Sequence, residues 1–486
     1  MTERRVAAKA LFVVALVAIP SAATAQPERA GRADSALIGR ILLAEDRRDS
    51  TDASLALGMR HSDARIRALA QRASGRIRDP RFAARDSFAP LPSPPHWPEP
   101  AWRLRYRALT QQRENCGALR EALADSVWPV RLRATALLTD HCASDDAIVA
   151  TLRSWIDALP AQAEGRVPGD VPWHAAAHGI LALARLRPDD ARSSVGTLAA
   201  HPVWQMRMYV ARAAAQLADT ARLRAMARDV DDNVREIAIE ALGRLSGHAD
   251  DDLYIAALSA DGAQVVRAAA IALKGTPRSD ARGAASAGFE RWVAGVTPPA
   301  RDARIALLDA AGRPATDDRP PPRRDVLPDR AVALALGDTV LLRVTLAPRS
   351  GRRSFVVRLR GDVAPLMSAR VLALARAGYY DNTGWHRVEH DFVVQGLGPG
   401  GNEYVGHADY FRDELGTVPH ARGTIGMSTR GHDTGDAQWF VNLRDNLRLG
   451  RDYTVFAEVV LGMEDVDGIM EGDFVARIEE IRRPDQ

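Results

Sequence analysis

The stretch Gly384-Trp-His-Arg-Val-Glu-His-Asp-Phe-Val-Val-Gln-Gly396 decides the fold of the C-terminal third of the chain. Its apolar run Phe392-Val-Val394 is short, β-branched and bounded by glycines, which predicts a buried strand flanked by turns. Arg387 and Gln395 lie on either side of this run, so the stretch combines core-forming and polar side chains.

The surrounding sequence predicts further strands and one helix. Ser354–Arg360 has the composition of a strand, and Ala364–Gly378 is an amphipathic helix that ends at a glycine. Further on, 423–441 and 453–463 contain short apolar runs, among them Trp439-Phe-Val441 and Val455-Phe456, and several glycines. The C-terminal part is therefore expected to be built mainly from strands.

These segments, in this order, resemble the cyclophilin family. Its pattern of aromatic-His-Arg, Phe, Gln-Gly, then Gly-x-x-x-Met, Gln-aromatic-Phe, Val-Phe and Gly-Met is present at workable spacing. The resemblance covers about 350–480, within a domain that we expect to span 331–486. It implies a closed eight-stranded β-barrel capped by two helices. It also implies cis/trans isomerisation of X-Pro bonds, with no cofactor and no metal.

The resemblance assigns roles to individual residues. Arg387 matches the catalytic arginine, and Gln395 matches the side chain that holds the substrate backbone. A guanidinium that hydrogen-bonds the prolyl nitrogen stabilises only the twisted amide, which is what this reaction needs. The matching substrate-binding positions, from the proline pocket, the main-chain contacts and the polar wall, are Phe392, Val393, Ser428, Thr429, Gln438, Phe440, Leu449 and Tyr453.

Some positions depart from the family pattern. Leu397-Gly398 replaces the usual Gly-Asp, the loop Pro399–Tyr410 is divergent, and Arg448 and Tyr453 stand where several eukaryotic members carry Trp and His. These changes affect expected cyclosporin affinity and substrate preference. They also leave open a second hypothesis, a binding scaffold that holds proline peptides without turnover.

Two other chemistries match short patterns here. His386-Arg-Val-Glu389-His390 matches the zinc-peptidase pattern H-x-x-E-H, which requires a helix to bring both histidines to one face. The surrounding glycines and apolar run predict strand and turn instead. The segment Gly426-Met-Ser428 resembles a nucleophile elbow, but Arg430 replaces its final glycine. The zinc-peptidase hypothesis predicts bound metal and peptide cleavage, and the isomerase hypothesis predicts neither.

The first two thirds of the chain has a helical, repeated pattern. A polar turn, an apolar residue and an arginine recur, and Ala and Leu on one face follow them. These copies resemble HEAT repeats, so we expect an all-α HEAT-like solenoid over 33–310 that can bind a protein partner. An irregular helical bundle is the alternative. The arginines of the copies are Arg67, Arg131, Arg207, Arg235 and Arg267.

Proline-rich stretches punctuate the chain. Residues 89–100 are expected to form a loop within the helical part, and 311–330 a linker before the C-terminal domain. The composition changes across the second stretch, from Ala, Leu and Arg to Val, Phe, Gly and Tyr. The chain is therefore expected to be multidomain.

The N-terminus predicts export. Basic residues, the apolar run Leu11–Ile19 and an A-x-A pattern ending at Ala25 form a signal peptide over 1–25, so we expect a periplasmic or secreted protein. The run is too short to span a membrane, and a net charge of +3 without charge runs gives no reason to expect nucleic acid. Cys116 and Cys142 are compatible with a disulfide or with two separate buried thiols.

Overall fold

The computed structural model describes residues 32–79, 93–159, 173–294, 300–318, 325–347, 353–407 and 409–481. The predicted signal peptide (1–25) lies outside the described residues, as do parts of both Pro-rich stretches. Within the described ranges, no helix combines the length and the apolar character needed to cross a membrane.

The first two thirds of the chain is helical, as predicted. Several helices begin at an aspartate whose carboxylate accepts a hydrogen bond from a backbone N–H of the first turn, among them Asp63 and Asp231. The helices are α1 (Arg32–Arg47), α2 (Ala53–Met59), α3 (Ala64–Arg78), α4 (Trp102–Gln111), α5 (Cys116–Ala122), α6 (Trp128–Leu137), α7 (Asp146–Asp157), α8 (Trp173–Leu186), α9 (Pro188–Leu198), α10 (Trp204–Gln216), α11 (Thr220–Met226), α12 (Asp232–Leu245), α13 (Asp251–Ala257), α14 (Ala263–Ala272), α15 (Ser279–Ala294) and α16 (Arg301–Ala311).

The recurring arginine of the repeated pattern has a defined structural role. In three copies, Arg67, Arg131 and Arg207, its guanidinium donates to the backbone carbonyl six residues earlier and so fixes the turn before the helix. Helices α6, α8, α10, α12, α14 and α16 pack one on the next in that order. Whether this stack forms a HEAT-type solenoid stays a prediction.

Cys116 and Cys142 form a disulfide. It joins the start of α5 to a short 3₁₀ turn before α7, with the two Cα atoms 5.5 Å apart. The pairing that the sequence left open is therefore present, and it cross-links the part of the helical region around α4–α7.

In its described residues, the C-terminal part combines one antiparallel sheet with three α-helices. Val, Phe and Leu fill its buried strand positions, as the composition predicted. Its elements are α17 (Ala331–Ala335), β1 (Leu341–Leu346), β2 (Arg353–Leu359), α18 (Pro365–Arg376), β3 (Arg387–Val388), β4 (Val393–Gly396), β5 (Thr424–Met427), β6 (Trp439–Asn442), β7 (Val455–Leu461), α19 (Met463–Asp467) and β8 (Val475–Ile481).

The eight strands follow the order β3-β4-β6-β5-β7-β2-β1-β8. Helix α18 packs on β7 and β8, and α19 packs on β2, so helices cover the sheet as expected. Four backbone hydrogen bonds of 2.8 Å join 382–385, just before β3, to 472–475, at the start of β8. In the described part of the chain these bonds connect the sheet's two edges, and closure into a complete barrel stays a prediction.

Helices α1–α3 share a core with the sheet. Ile38 and Ile41 of α1 and Leu69 of α3 belong to the same buried cluster as Phe355 and Phe456 of the strands. A separate cluster lies within α7–α16. The first helices of the chain are therefore packed as part of the C-terminal unit, although more than 250 residues separate them along the sequence.

Buried arginines also connect the helices to the sheet domain. Arg76 of α3 donates to the carbonyls of Leu415 and Val363 at 2.9 Å each, and to Glu45 at 2.7 Å. Arg103 of α4 donates to the Leu443 carbonyl at 2.6 Å. These bonds satisfy backbone groups of the sheet domain from outside it, so the helical region and the sheet domain support each other.

Candidate active site

The strand register brings three of the predicted site residues into one row. Arg387 on β3 lies opposite Gln395 on β4, and Gln395 lies opposite Phe440 on β6. Residues directly opposite each other share a face of the sheet, so their side chains are neighbours. Gly426 of β5 continues the row, and a Cβ there would come within 2.3 Å of the Phe440 ring. Glycine therefore leaves room for that ring.

Hydrogen bonds orient the polar end of this row. Arg387 donates from Nη1 to Gln395 Oε1 at 3.0 Å and from Nε to Glu389 Oε1 at 2.8 Å. Gln395 in turn donates from Nε2 to Ser428 Oγ at 2.9 Å. The Arg387 side chain stays 41% exposed. The guanidinium is thus held in position while part of it still faces solvent, where a substrate could meet it.

The predicted apolar pocket lies beside this row. Phe440 is almost fully buried, and Tyr453 packs edge-on against its ring with centroids 5.5 Å apart. Phe392 is half-buried and lies under the Arg387 guanidinium, 5.8 Å from ring centroid to Cζ. Val393 is buried two residues before Gln395, and Leu449 is half-buried in a short 3₁₀ turn.

His420 supports the pocket from beneath and was missed by the sequence reasoning. Its ring stacks on Phe440 at 5.6 Å, and its Nε2 lies 3.0 Å from the Tyr453 carbonyl oxygen. Burial lowers the pKa of His420, so the imidazole is neutral and behaves as a flat packing surface. A lone histidine in a loop gives no sequence signal for such a role.

Arg448 lies over the ring of Phe392, an aromatic residue of the predicted pocket. Its Cζ is 4.9 Å from the Phe392 ring centroid, and its side chain is exposed. The cation therefore covers the aromatic ring from the solvent side, which gives this departure from the family pattern a structural place.

Ser428 and Thr429 follow β5 at the rim of the site, and both are half-buried. The Ser428 N–H donates to the Gln438 carbonyl at 2.8 Å, so that donor is committed within the protein. Gln438 is itself fully buried and donates to the carbonyls of Asn402 and Val405, at 3.1 and 3.2 Å. It supports the divergent loop, and its contact with a substrate stays a prediction.

The divergent loop is also held by the helical region. Asn233 of α12 donates to the Gly400 carbonyl at 3.1 Å and accepts from Asn402 at 2.7 Å. The Arg267 guanidinium of α14 lies 3.8 Å from the centroid of the Tyr404 ring. Sequence reasoning could not find these contacts, because the partners lie more than 130 residues apart and match no motif.

Arg430 ties the same loop to another helix. It forms ion pairs with Asp302 of α16 and with the buried Asp436, and it donates to the Glu403 carbonyl. The residue that breaks the nucleophile-elbow pattern is therefore a structural link between helix, loop and sheet.

The H-x-x-E-H pattern does not lie on a helix. Its centre is β3, and His390 packs edge-on against Trp102 and Tyr106 of α4. Burial lowers the pKa of His386 to about 4, so that imidazole is neutral. No cluster of three or more metal-ligating side chains occurs among the described residues. The helical geometry that the zinc-peptidase reading needs is therefore not present.

Comparisons with known proteins concern the C-terminal part. The family described as "Cyclophilin type peptidyl-prolyl cis-trans isomerase/CLD" matches residues 343–484. A peptidyl-prolyl cis-trans isomerase of Arabidopsis thaliana is 35% identical over 126 residues, which are 25% of this chain and 76% of that protein. One from Helicobacter pylori is 33% identical over 24% of this chain and 73% of that protein.

Two further similar proteins are matched over very different shares of their own length. The peptidyl-prolyl cis-trans isomerase-like 2 protein of Cryptococcus neoformans is 38% identical over 122 residues, 23% of this chain and 21% of that protein. The chain thus spans about a fifth of that relative's length. A cyclophilin-type isomerase structure from Cryptosporidium parvum has 22% identity and a TM-score of 0.28, covering 30% of this chain and 100% of that one.

Proposed function

Because the chain belongs to the cyclophilin-type peptidyl-prolyl cis-trans isomerase family, we propose that its C-terminal domain interconverts the cis and trans forms of X-Pro peptide bonds. The observation that carries this proposal is the row of Arg387, Gln395 and Phe440 on three adjacent strands. A cation, an amide and an aromatic ring in one row are the groups that this reaction on an X-Pro dipeptide needs, which supports the proposal.

The chemistry follows from the barrier to rotation. Amide resonance opposes rotation by about 18–20 kcal/mol, and uncatalysed prolyl isomerisation takes roughly 10–100 s. No bond breaks, so the site needs only to stabilise the twisted amide more than either planar form. In the twisted form the prolyl nitrogen regains a lone pair, to which the Arg387 guanidinium donates. That interaction is weak in the planar forms, because the lone pair is then delocalised.

The other groups hold the two ends of the rotating bond. The pocket around Phe440 grips the proline ring, while the Gln395 amide anchors the neighbouring backbone. Glu389 and Gln395 fix the Arg387 guanidinium before substrate arrives, which lowers the entropic cost of using it. Rotation is thereby confined to one bond.

We further propose that the protein acts on proteins that fold outside the cytoplasm, and that HEAT-like repeats in the helical region bind them or a partner. The predicted signal peptide and the Cys116–Cys142 disulfide support this location, since disulfides persist in oxidising compartments. Fractionation of cells that express the chain with and without residues 1–25 tests it. Equal retention of both forms in the cytoplasm would contradict export.

The activity is tested with the full chain and a short Ala-Pro peptide, by following its isomerisation directly. We expect Arg387→Ala to lower kcat/KM about 100-fold, the loss typical of removing one transition-state donor. Arg477→Ala is the matched control, because Arg477 is an exposed arginine on β8 away from the site. Arg387→Lys should recover only part of the loss, because lysine lacks the planar fork.

Two outcomes would count against the isomerase. If the folded wild-type chain gives no turnover above background but still binds the peptide, the protein is a proline-peptide scaffold. If turnover is present and unchanged in Arg387→Ala, the role of Arg387 is wrong.

A further inference from the structure

A cleft of about 690 Å³ separates the helical region from the sheet domain and opens beside Arg387. On one side it is lined by α10 and α12, including Trp204 and Asn233. On the other side lie residues 382–387 and the loop 398–404. Gly401 lies against the Trp204 ring of α10 and has a φ of +64°, a left-handed conformation that favours glycine in this loop. The cleft therefore continues the candidate active site toward the helices.

Carboxylates are in excess on the cleft's walls. Three come from α12 or the turn before it, one from the divergent loop and one from the turn before β8; they are Asp231, Glu236, Glu240, Glu403 and Glu471. Burial raises the pKa of Glu236 to about 7 and also raises the pKa of Glu471. A cation bound nearby would favour the ionised form of both groups.

Three guanidiniums line the same cleft, and each is already engaged. Arg267 donates to Glu236 and Glu240, Arg387 donates to Glu389 and Gln395, and Arg212 lies over the Tyr209 ring, 4.7 Å from its centroid. Among the described residues, five carboxylates face three guanidiniums on the lining, and the formal excess of two negative charges is complete only when Glu236 and Glu471 are ionised.

Neutral groups of the cleft add hydrogen-bond acceptors. Gln205 is 3% exposed, and its Oε1 has no hydrogen-bond partner among the described residues. Neither ring nitrogen of the half-buried His386 has such a partner there, although both nitrogens are themselves shielded from solvent. A neutral imidazole offers one acceptor nitrogen. Buried acceptors left without donors are costly, so a donor-rich ligand would be stabilised at this place.

We propose that this cleft is a subsite for the client polypeptide next to its proline, and that it selects a lysine or arginine side chain of that client. The inference rests on the proposed function, because the cleft and the isomerase site share Arg387. The cleft is open and lined by carboxylates and neutral acceptors, which matches a flexible, positively charged side chain that carries only donors. The helical region would thus choose clients by contributing one wall of the binding groove.

The test uses the full chain and three labelled Ala-Pro peptides that differ at one flanking position, with Lys, Ala or Glu. The position is scanned on both sides of the proline, and dissociation constants are measured by fluorescence anisotropy. At low ionic strength we expect the Lys peptide to bind about tenfold tighter than the Glu peptide at the best position. Salt near 0.5 M should shrink the ratio, since the Debye length then falls to roughly 4 Å.

Two variants test the cleft itself. Glu240→Gln combined with Glu403→Gln removes two lining charges and should reduce the Lys-to-Glu ratio about fivefold. Glu290→Gln, an exposed glutamate on α15 outside the cleft, is the matched control and should leave the ratio unchanged. If the double variant does not fold, the peptide series and its salt dependence on the wild-type chain decide the question.

The outcomes separate this inference from the proposed function. Turnover of the Ala peptide tests the isomerase alone. If the Ala peptide is bound or turned over while Lys and Glu peptides bind alike at every position, the subsite is refuted and the isomerase stands. An unchanged ratio in the folded double variant also refutes the subsite. If no peptide binds and the Ala peptide is not turned over, both proposals are overturned.

Discussion

Arg76 offers the sharpest test of how the helical region and the sheet domain depend on each other. Its side chain is 1% exposed and donates to Glu45 and to the carbonyls of Leu415 and Val363. Glu45 is equally buried. Burial would raise the pKa of Glu45, but Arg76 and Arg72 outweigh it and hold that pKa below its ordinary value. The ion pair therefore depends on both arginines.

Arg76→Ala removes three hydrogen bonds from a charged donor at once. Each such bond contributes about 1.5–3 kcal/mol, but water that enters the vacated space recovers part of the sum. Glu45 is left with Arg72 at 3.8 Å as its neighbouring cation. Breaking a buried ion pair by removing one partner costs about 3–5 kcal/mol. We expect Arg76→Ala to lower the free energy of unfolding by about 3–5 kcal/mol. This corresponds to a fall in Tm of roughly 6–20 °C at about 2–4 °C per kcal/mol.

The assay is urea and thermal unfolding of the full chain, followed by tryptophan fluorescence and circular dichroism. Arg78→Ala is the matched control, because Arg78 lies on the same helix but is exposed and contacts only its own helix within the described residues. That change should cost less than about 0.5 kcal/mol. An Arg76→Ala loss below about 1 kcal/mol, or equal to that of Arg78→Ala, would refute the reasoning.

Two further predictions concern the helical region. Replacing Cys116 and Cys142 by Ala should lower the free energy of unfolding by about 3.5 kcal/mol, the chain-entropy value for a closed loop of 26 residues; urea unfolding measures it, and equal stability of the variant would contradict it. Burial raises the pKa of Glu236 to about 7 from its ordinary 4.5. Between pH 4.5 and pH 7 the folded state therefore binds more protons than the unfolded state. Stability should therefore fall as pH rises from 4.5 to 7, and Glu236→Gln should flatten that slope in Tm measurements, whereas an identical slope would speak against it.

The sequence predicted the parts of the structure that short local patterns encode. The resemblance of their ordered motifs to the cyclophilin family implied that Arg387, Gln395 and Phe440 share one site, and the three residues lie on adjacent strands. The strand near Ser354 and the helix near Ala364 were predicted for the same reason, because their periodicity is local.

The remaining parts depend on tertiary packing, which no local pattern records. His420 takes its role only from the rings that surround it, and Asn233 reaches the loop at Gly400 across 167 residues. The sequence also did not predict that α1–α3 pack into the core of the sheet, because an apolar helix face does not specify which element covers it. Long-range partners of this kind cannot be derived from one sequence.

The shared core of α1–α3 and the sheet has a consequence for biosynthesis. Helices α1–α3 leave the ribosome well before the strands that they cover, since Arg76 and its partner Leu415 are 339 residues apart. At about 5–20 residues per second, the first helices exist for roughly 15–70 s before their partner strands do. During that interval their apolar faces lack their native cover, which is the kind of transiently exposed surface that chaperones bind.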